Sequence, residues 1–81
     1  DSTAVRLRQI IRKSKSTQAR LHALSVLDGL KKLDPYTLIE ALSDKHPYVR
    51  RLAFRLTEKF PEVILMLKKN SSRYMILFTM S

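Results

Sequence analysis

Residues 44–60 read Asp44-Lys45-His46-Pro47-Tyr48-Val49-Arg50-Arg51-Leu52-Ala53-Phe54-Arg55-Leu56-Thr57-Glu58-Lys59-Phe60. Within them Val49, Leu52, Ala53, Leu56 and Phe60 recur at i, i+3, i+4, i+7 intervals. That spacing gathers the apolar groups into one stripe on an α-helix and would scatter them over both faces of a strand. Pro47 suits a first helical position, where its missing N–H is not needed and its fixed φ is already helical. A helix is therefore expected from Pro47 to about Lys59, after a break at Ser43-Asp44-Lys45-His46.

Working outward, Asp34-Pro35 carries the same start signal, with Asp34 expected to cap the first turn and Leu38, Ile39 and Leu42 supplying the apolar face of a short helix over 35–42. Upstream of it, Leu21, Leu24 and Leu27 form one stripe and Ala23, Val26 and Leu30 its neighbour, over a helix expected from Ser16-Thr17 to about Lys32. With more than one apolar side, it should be covered on two sides. Ala4, Leu7, Ile10 and Ile11 give a first helix over about 4–13. Downstream, Pro61 opens a short helix over 62–68. The last stretch, 72–81, holds Tyr74, Met75, Ile76, Leu77, Phe78 and Met80, which periodicity assigns to a helix or a buried strand equally well.

Laying the second helix on the fourth exposes an internal echo at an offset of 30 residues: Ala19-Arg20 on Val49-Arg50, Ala23 on Ala53, Leu24 on Phe54 and Val26 on Leu56. The unit reads as longer helix, turn, shorter helix, turn. Such a unit cannot bury its apolar surface alone, so successive copies would share a core. The last stretch then reads as the first helix of a third copy. The expected architecture is all-α, an α-α superhelix of about five to six helices in antiparallel pairs, filling residues 1–81 as one segment. The expected core comprises Leu24, Leu27, Leu42, Val49, Leu52, Ala53 and Leu56.

Composition narrows the function classes. The chain has 81 residues, one glycine and three prolines, too few turn formers for a compact all-β protein. It has no cysteine, which removes disulfides, thiolate metal sites and a cysteine nucleophile from this segment. Its longest apolar runs, 63–67 and 74–78, fall far short of the ~20 residues that a membrane span needs. The opening Asp1-Ser2-Thr3-Ala4 and the apolar end read as those of a piece excised from a larger protein.

The segment Asp44-Lys45-His46-Pro47-Tyr48-Val49-Arg50 resembles the HEAT-repeat signature, in which a turn Asp is followed five residues later by Val and six later by Arg. The resemblance implies a ladder of Asp and Arg side chains between successive units, and so structural inter-repeat roles for Asp44 and Arg50. Ser14 stands where the first copy would carry its Asp, and Met75 where a third would carry its Arg. More closely, residues 19–30, Ala19-Arg20-Leu21-His22-Ala23-Leu24-Ser25-Val26-Leu27-Asp28-Gly29-Leu30, are similar to the HEAT-like region of large bacterial membrane-bound dehydrogenases. In those proteins a propeller precedes the repeats and a haem-binding cytochrome tail follows, which implies an extracytoplasmic bacterial setting. Neither a propeller nor a haem-attachment motif occurs in these residues, so that redox chemistry is assigned to none of them.

No catalytic constellation is legible. His22 has no acid on its face and reads as a partly buried packing residue. His46, before Pro47, reads as a helix cap or turn residue. Glu58 and Glu62 flank a proline turn and read as solvated. The sequence therefore assigns no catalytic residue, cofactor or metal. The formal charge of +9 is the remaining signal. Arg51, Arg55 and Lys59 make one basic helix stripe, and Arg8, Arg12 and Lys15 another. These six are the candidate basic binding face. The reading the residues favour is a non-catalytic scaffold or protein-interaction segment whose partners are neighbouring domains or repeats, or a second copy. The alternative is sequence-independent binding of nucleic acid through its phosphates. The apolar stretch 74–80 suggests self-association of the isolated segment.

Overall fold

The computed structural model describes residues 2–69, and among them the chain is all-helical, with five α-helices and no strand: α1 (Ser2–Lys13), α2 (Thr17–Gly29), α3 (Pro35–Leu42), α4 (Pro47–Leu56) and α5 (Pro61–Lys69). A single 3₁₀ turn, Thr57–Lys59, extends α4. The reading of 72–81 as a further helix lies outside the described residues.

Each proline opens a helix, as its geometry dictates, and the caps show how the junctions are made. The Ser16 hydroxyl accepts from the Ala19 N–H at 3.1 Å and starts α2. His46 caps α4 through Nδ1, which accepts from the Tyr48 N–H at 3.1 Å. Asp34 departs from expectation: it precedes α3, but its side chain accepts no backbone N–H. Its carboxylate instead accepts from the Thr37 hydroxyl and faces Arg8 of α1, Nε to Oδ1 3.4 Å. A nearby cation thus redirects a side chain that local sequence assigns to capping. Helix α2 ends at Gly29 rather than near Lys32. The Lys32 N–H reaches the Leu27 carbonyl and the Lys31 N–H the Asp28 carbonyl, which closes the helix with Lys31 at a left-handed φ of 58°.

Packing sorts the helices into pairs joined by short turns, α1 on α2 and α3 on α4, with α2 touching α4, α1 touching α3 and α3 touching α5. The closest partners are therefore α1–α2 and α3–α4, out of phase with the unit of α2–α3 and α4–α5 read from the sequence. Leu24, Leu27, Leu38, Val49 and Val63 are the largest fully buried side chains, each stabilising the fold by about 1.5–3 kcal/mol relative to exposure. Of the expected core, Leu24, Leu27, Leu42, Val49, Ala53 and Leu56 are buried, whereas Leu52 is half-buried at the core's margin. Ala4 and Ile11 bring α1 into the same core. His22, expected to be partly buried, is exposed, because α2 turns its Arg20, Ala23, Leu24 and Leu27 face inward.

Candidate functional site

The two turns that close the helix pairs are built alike. After α1, the Ser14 Oγ accepts from the Ser16 N–H at 3.1 Å; after α3, Asp44 Oδ1 accepts from the His46 N–H at 2.8 Å. Each turn is then held by the arginine six residues further on. Arg20 Nη1 donates to the Ser14 carbonyl, and Arg50 Nη1 donates to the Asp44 carbonyl, both at 2.7 Å. The 30-residue echo in the sequence is therefore an echo of polar geometry.

The turns are linked by one buried ion pair. Arg20 Nε reaches Asp44 Oδ2 at 2.8 Å and Nη2 reaches Oδ1 at 3.1 Å, with both side chains less than one-tenth exposed. The bidentate fork, together with the Ser14 carbonyl and the His46 N–H, leaves neither charge without partners. Such completeness is what a buried ion pair requires if desolvation is not to outweigh attraction. Asp44 thus pairs with Arg20 of the preceding helix pair, while Arg50 holds the carbonyl of Asp44. Arg50 Nε is itself buried and has no acceptor among the described residues.

The basic stripes divide. Arg12 meets Glu40 of α3 in a fork, Nε to Oε2 2.9 Å and Nη2 to Oε1 3.0 Å, and this hydrogen bond, reinforced by the charge of Glu40, raises the guanidinium pKa above its ordinary value. Arg8 lies against Asp34, and Lys59 Nζ reaches Asp28 Oδ2 at 3.0 Å. Three of the six candidate basic residues, Arg8, Arg12 and Lys59, therefore tie one helix to another. Arg51 and Arg55 remain exposed on α4, with the Arg51 guanidinium 5.7 Å from the centre of the Tyr48 ring, within cation–π range. Lys15 is exposed beside the first turn, in a cleft it shares with Lys13 and Lys45.

Sequence reasoning missed the acceptors. Asp28, Asp34 and Glu40 were not singled out as partners, nor was Arg20 beyond its place in the echo. A signal existed for two of them: the Arg12–Glu40 and Asp28–Lys59 pairs are separated by 28 and 31 residues, close to the 30-residue offset itself, whereas Arg20–Asp44, at 24, is not. Opposite charges one unit apart are what stacked copies would bring together. Among the described residues no group of three or more His, Asp or Glu side chains converges in metal-binding fashion, and no helix is long and apolar enough to cross a membrane.

Compared with protein-family models, curated proteins and solved structures, the chain matches none.

Proposed function

We propose that the chain is a HEAT-like α-α superhelical segment that serves a larger bacterial protein as a non-catalytic scaffold and protein-interaction surface. The observation that carries this reading is the duplicated turn with the buried Arg20–Asp44 fork joining its two copies. A polar device that recurs at the repeat offset and binds one copy to the next suits a module whose purpose is to extend and hold a surface. Its charges support the same reading, since Arg8, Arg12, Arg20 and Lys59 are spent on contacts between helices. On this reading Asp44 and Arg50 are structural residues, and the partners are neighbouring domains, further repeats or a second copy.

The competing reading, phosphate-backbone binding, draws on exposed Lys15, Arg51 and Arg55. Titration of a labelled random duplex separates the two. A scaffold is expected to show only weak association that vanishes by about 0.15 M salt and does not respond to charge reversal at Arg51 and Arg55. Saturable binding that persists at that salt and collapses in the Arg51→Glu/Arg55→Glu variant would overturn the scaffold reading.

A further inference from the structure

The two matching turns open on one cleft, a cavity of about 320 Å³ between residues 11–15 and 40–45. Its walls carry five cations and two carboxylates. Both carboxylates are committed, Glu40 to the Arg12 fork and Asp44 to the Arg20 fork. The charge left over is that of Lys13, Lys15 and Lys45, none of which forms an ion pair among the described residues.

The fold accounts for one of these lysines. Lys13 lies in the last turn of α1, where a cation meets the negative end of the helix. Lys15 and Lys45 occupy the same place in the 30-residue register, each in the turn between two helices. There the negative end of one helix and the positive end of the next offset each other, so the helix dipoles do not call for a cation. Both residues are exposed, so packing does not call for them either, and bringing like charges to one cleft adds repulsion. The buried Arg20–Asp44 fork ties the two turns together and so presents these lysines on a fixed frame.

We propose that this cleft binds a phosphate monoester, with Lys13, Lys15 and Lys45 supplying the charge and Ser14 and Ser43 the hydroxyl donors. Ser14 Oγ accepts from the Ser16 N–H, which leaves its own O–H to donate toward a ligand. Charge selects the chemistry. A monoester carries about −1.5 to −2 at neutral pH on three acceptor oxygens, which several ammonium groups can share as compact point charges. A carboxylate or a phosphodiester brings a single charge and leaves more of the excess unmatched. The cavity is at the small end of the ~300–1,000 Å³ usual for ligand sites, which suits a phosphate and the first atoms of the group that bears it. A phosphorylated side chain of a partner protein and a free phosphate ester share this chemistry. The inference goes beyond the scaffold reading, which does not require the cleft to bind anything.

The test is a titration of the isotope-labelled full chain with methyl phosphate, followed by amide NMR at constant ionic strength and about pH 7.5, where the monoester is mostly a dianion. Saturable shifts confined to residues 13–16 and 43–46 are expected. Affinity should fall about tenfold in Lys15→Ser/Lys45→Ser. Lys32→Ser/Lys68→Ser removes the same charge from exposed positions elsewhere and should leave affinity within about twofold. Dimethyl phosphate, a diester with one charge, should bind the parent chain about tenfold more weakly, a comparison that needs no variant to fold. Shifts that do not saturate or that spread over the surface, equal losses in the two double variants, or equal affinity for the diester would each overturn the proposal. A phosphoserine within an otherwise uncharged peptide then separates the two sources. Affinity at or above that for methyl phosphate assigns the group to a partner protein, and affinity about tenfold below it assigns a free ester. If the cleft fails these tests while Arg20 and Asp44 remain energetically coupled, the scaffold reading stands and only the phosphate site falls.

Discussion

The inner seam between α2 and α4 and the outer side of α4 begin from corresponding residues and end in different states. At the seam, Leu24 is fully buried and each guanidinium nitrogen of Arg20 makes a hydrogen bond; on the outer side, Phe54 is exposed and Arg50 keeps a buried Nε without an acceptor among the described residues. Amphipathic patterning already differs between the two helices: α2 is apolar on more than one side, whereas α4 carries a single apolar stripe. The two sides also differ, among the described residues, in whether another helix lies alongside. The comparison teaches that in this chain an apolar stripe specifies a contact, and that the order of helices decides which contact is made.

The contrast can be broken most forcefully at Leu24. Leu24→Ala should destabilise the protein by about 2–5 kcal/mol, since a fully buried leucine leaves a cavity that rigid neighbours fill incompletely. Urea denaturation checks this, and a loss under about 1 kcal/mol would mean that the seam is not packed as described. Exchanging the residues that the register aligns gives the next largest effect. Leu24→Phe should cost about 1–3 kcal/mol by overpacking, while Phe54→Leu, on the roomier side, should cost less than about 1 kcal/mol. Equal costs would erase the distinction between the two sides.

A smaller loss is expected at Leu52. The sequence places it in the core with Leu24 and Leu56, yet it is half-buried at the margin, so Leu52→Ala should cost about half as much as Leu24→Ala in the same denaturation series. The smallest effect has the opposite sign. Lys31 adopts φ 58° to close α2, a conformation that suits glycine, and Lys31→Gly should stabilise by about 0.5–1 kcal/mol, read as a rise in Tm. A fall would show that the lysine side chain contributes more than its backbone strain costs.

Much of the fold is legible because its signals are local. Pro35, Pro47 and Pro61 mark helix starts through φ and a missing N–H, and the structure opens a helix at each. Ser16 and His46 cap because they stand one residue ahead of a helix with acceptors of suitable reach. The rest fails where the deciding partner is distant in sequence. Asp34 turns from capping toward Arg8 of another helix, and His22 looks outward because Arg20 and Leu24 of the same helix face α4's side. The phase of the pairs follows from which turns are short enough to hold two helices together, a tertiary outcome that hydrophobic spacing does not encode.

The basic surface gives the same lesson in electrostatic terms. Six cations read from the sequence as two binding stripes, but Arg8, Arg12 and Lys59 find carboxylates on other helices. A stripe on a helical wheel shows which residues share a face and leaves open whether that face meets solvent or another element. Arg51 and Arg55 are the pair that stay exposed on α4, which is why charge reversal there is the informative change for any phosphate-binding role.

The claim that one helix pair is joined to the next through a satisfied buried fork is tested most directly by a double-mutant cycle of Arg20→Met and Asp44→Leu, followed by denaturant unfolding. Each single change should cost about 3–5 kcal/mol by stranding a buried charge, and the double variant should cost less than the sum of the two by a coupling of about 1.5–3 kcal/mol. Losses that add to within about 0.5 kcal/mol would contradict the fork, and with it the stacking of α2 on the turn between α3 and α4.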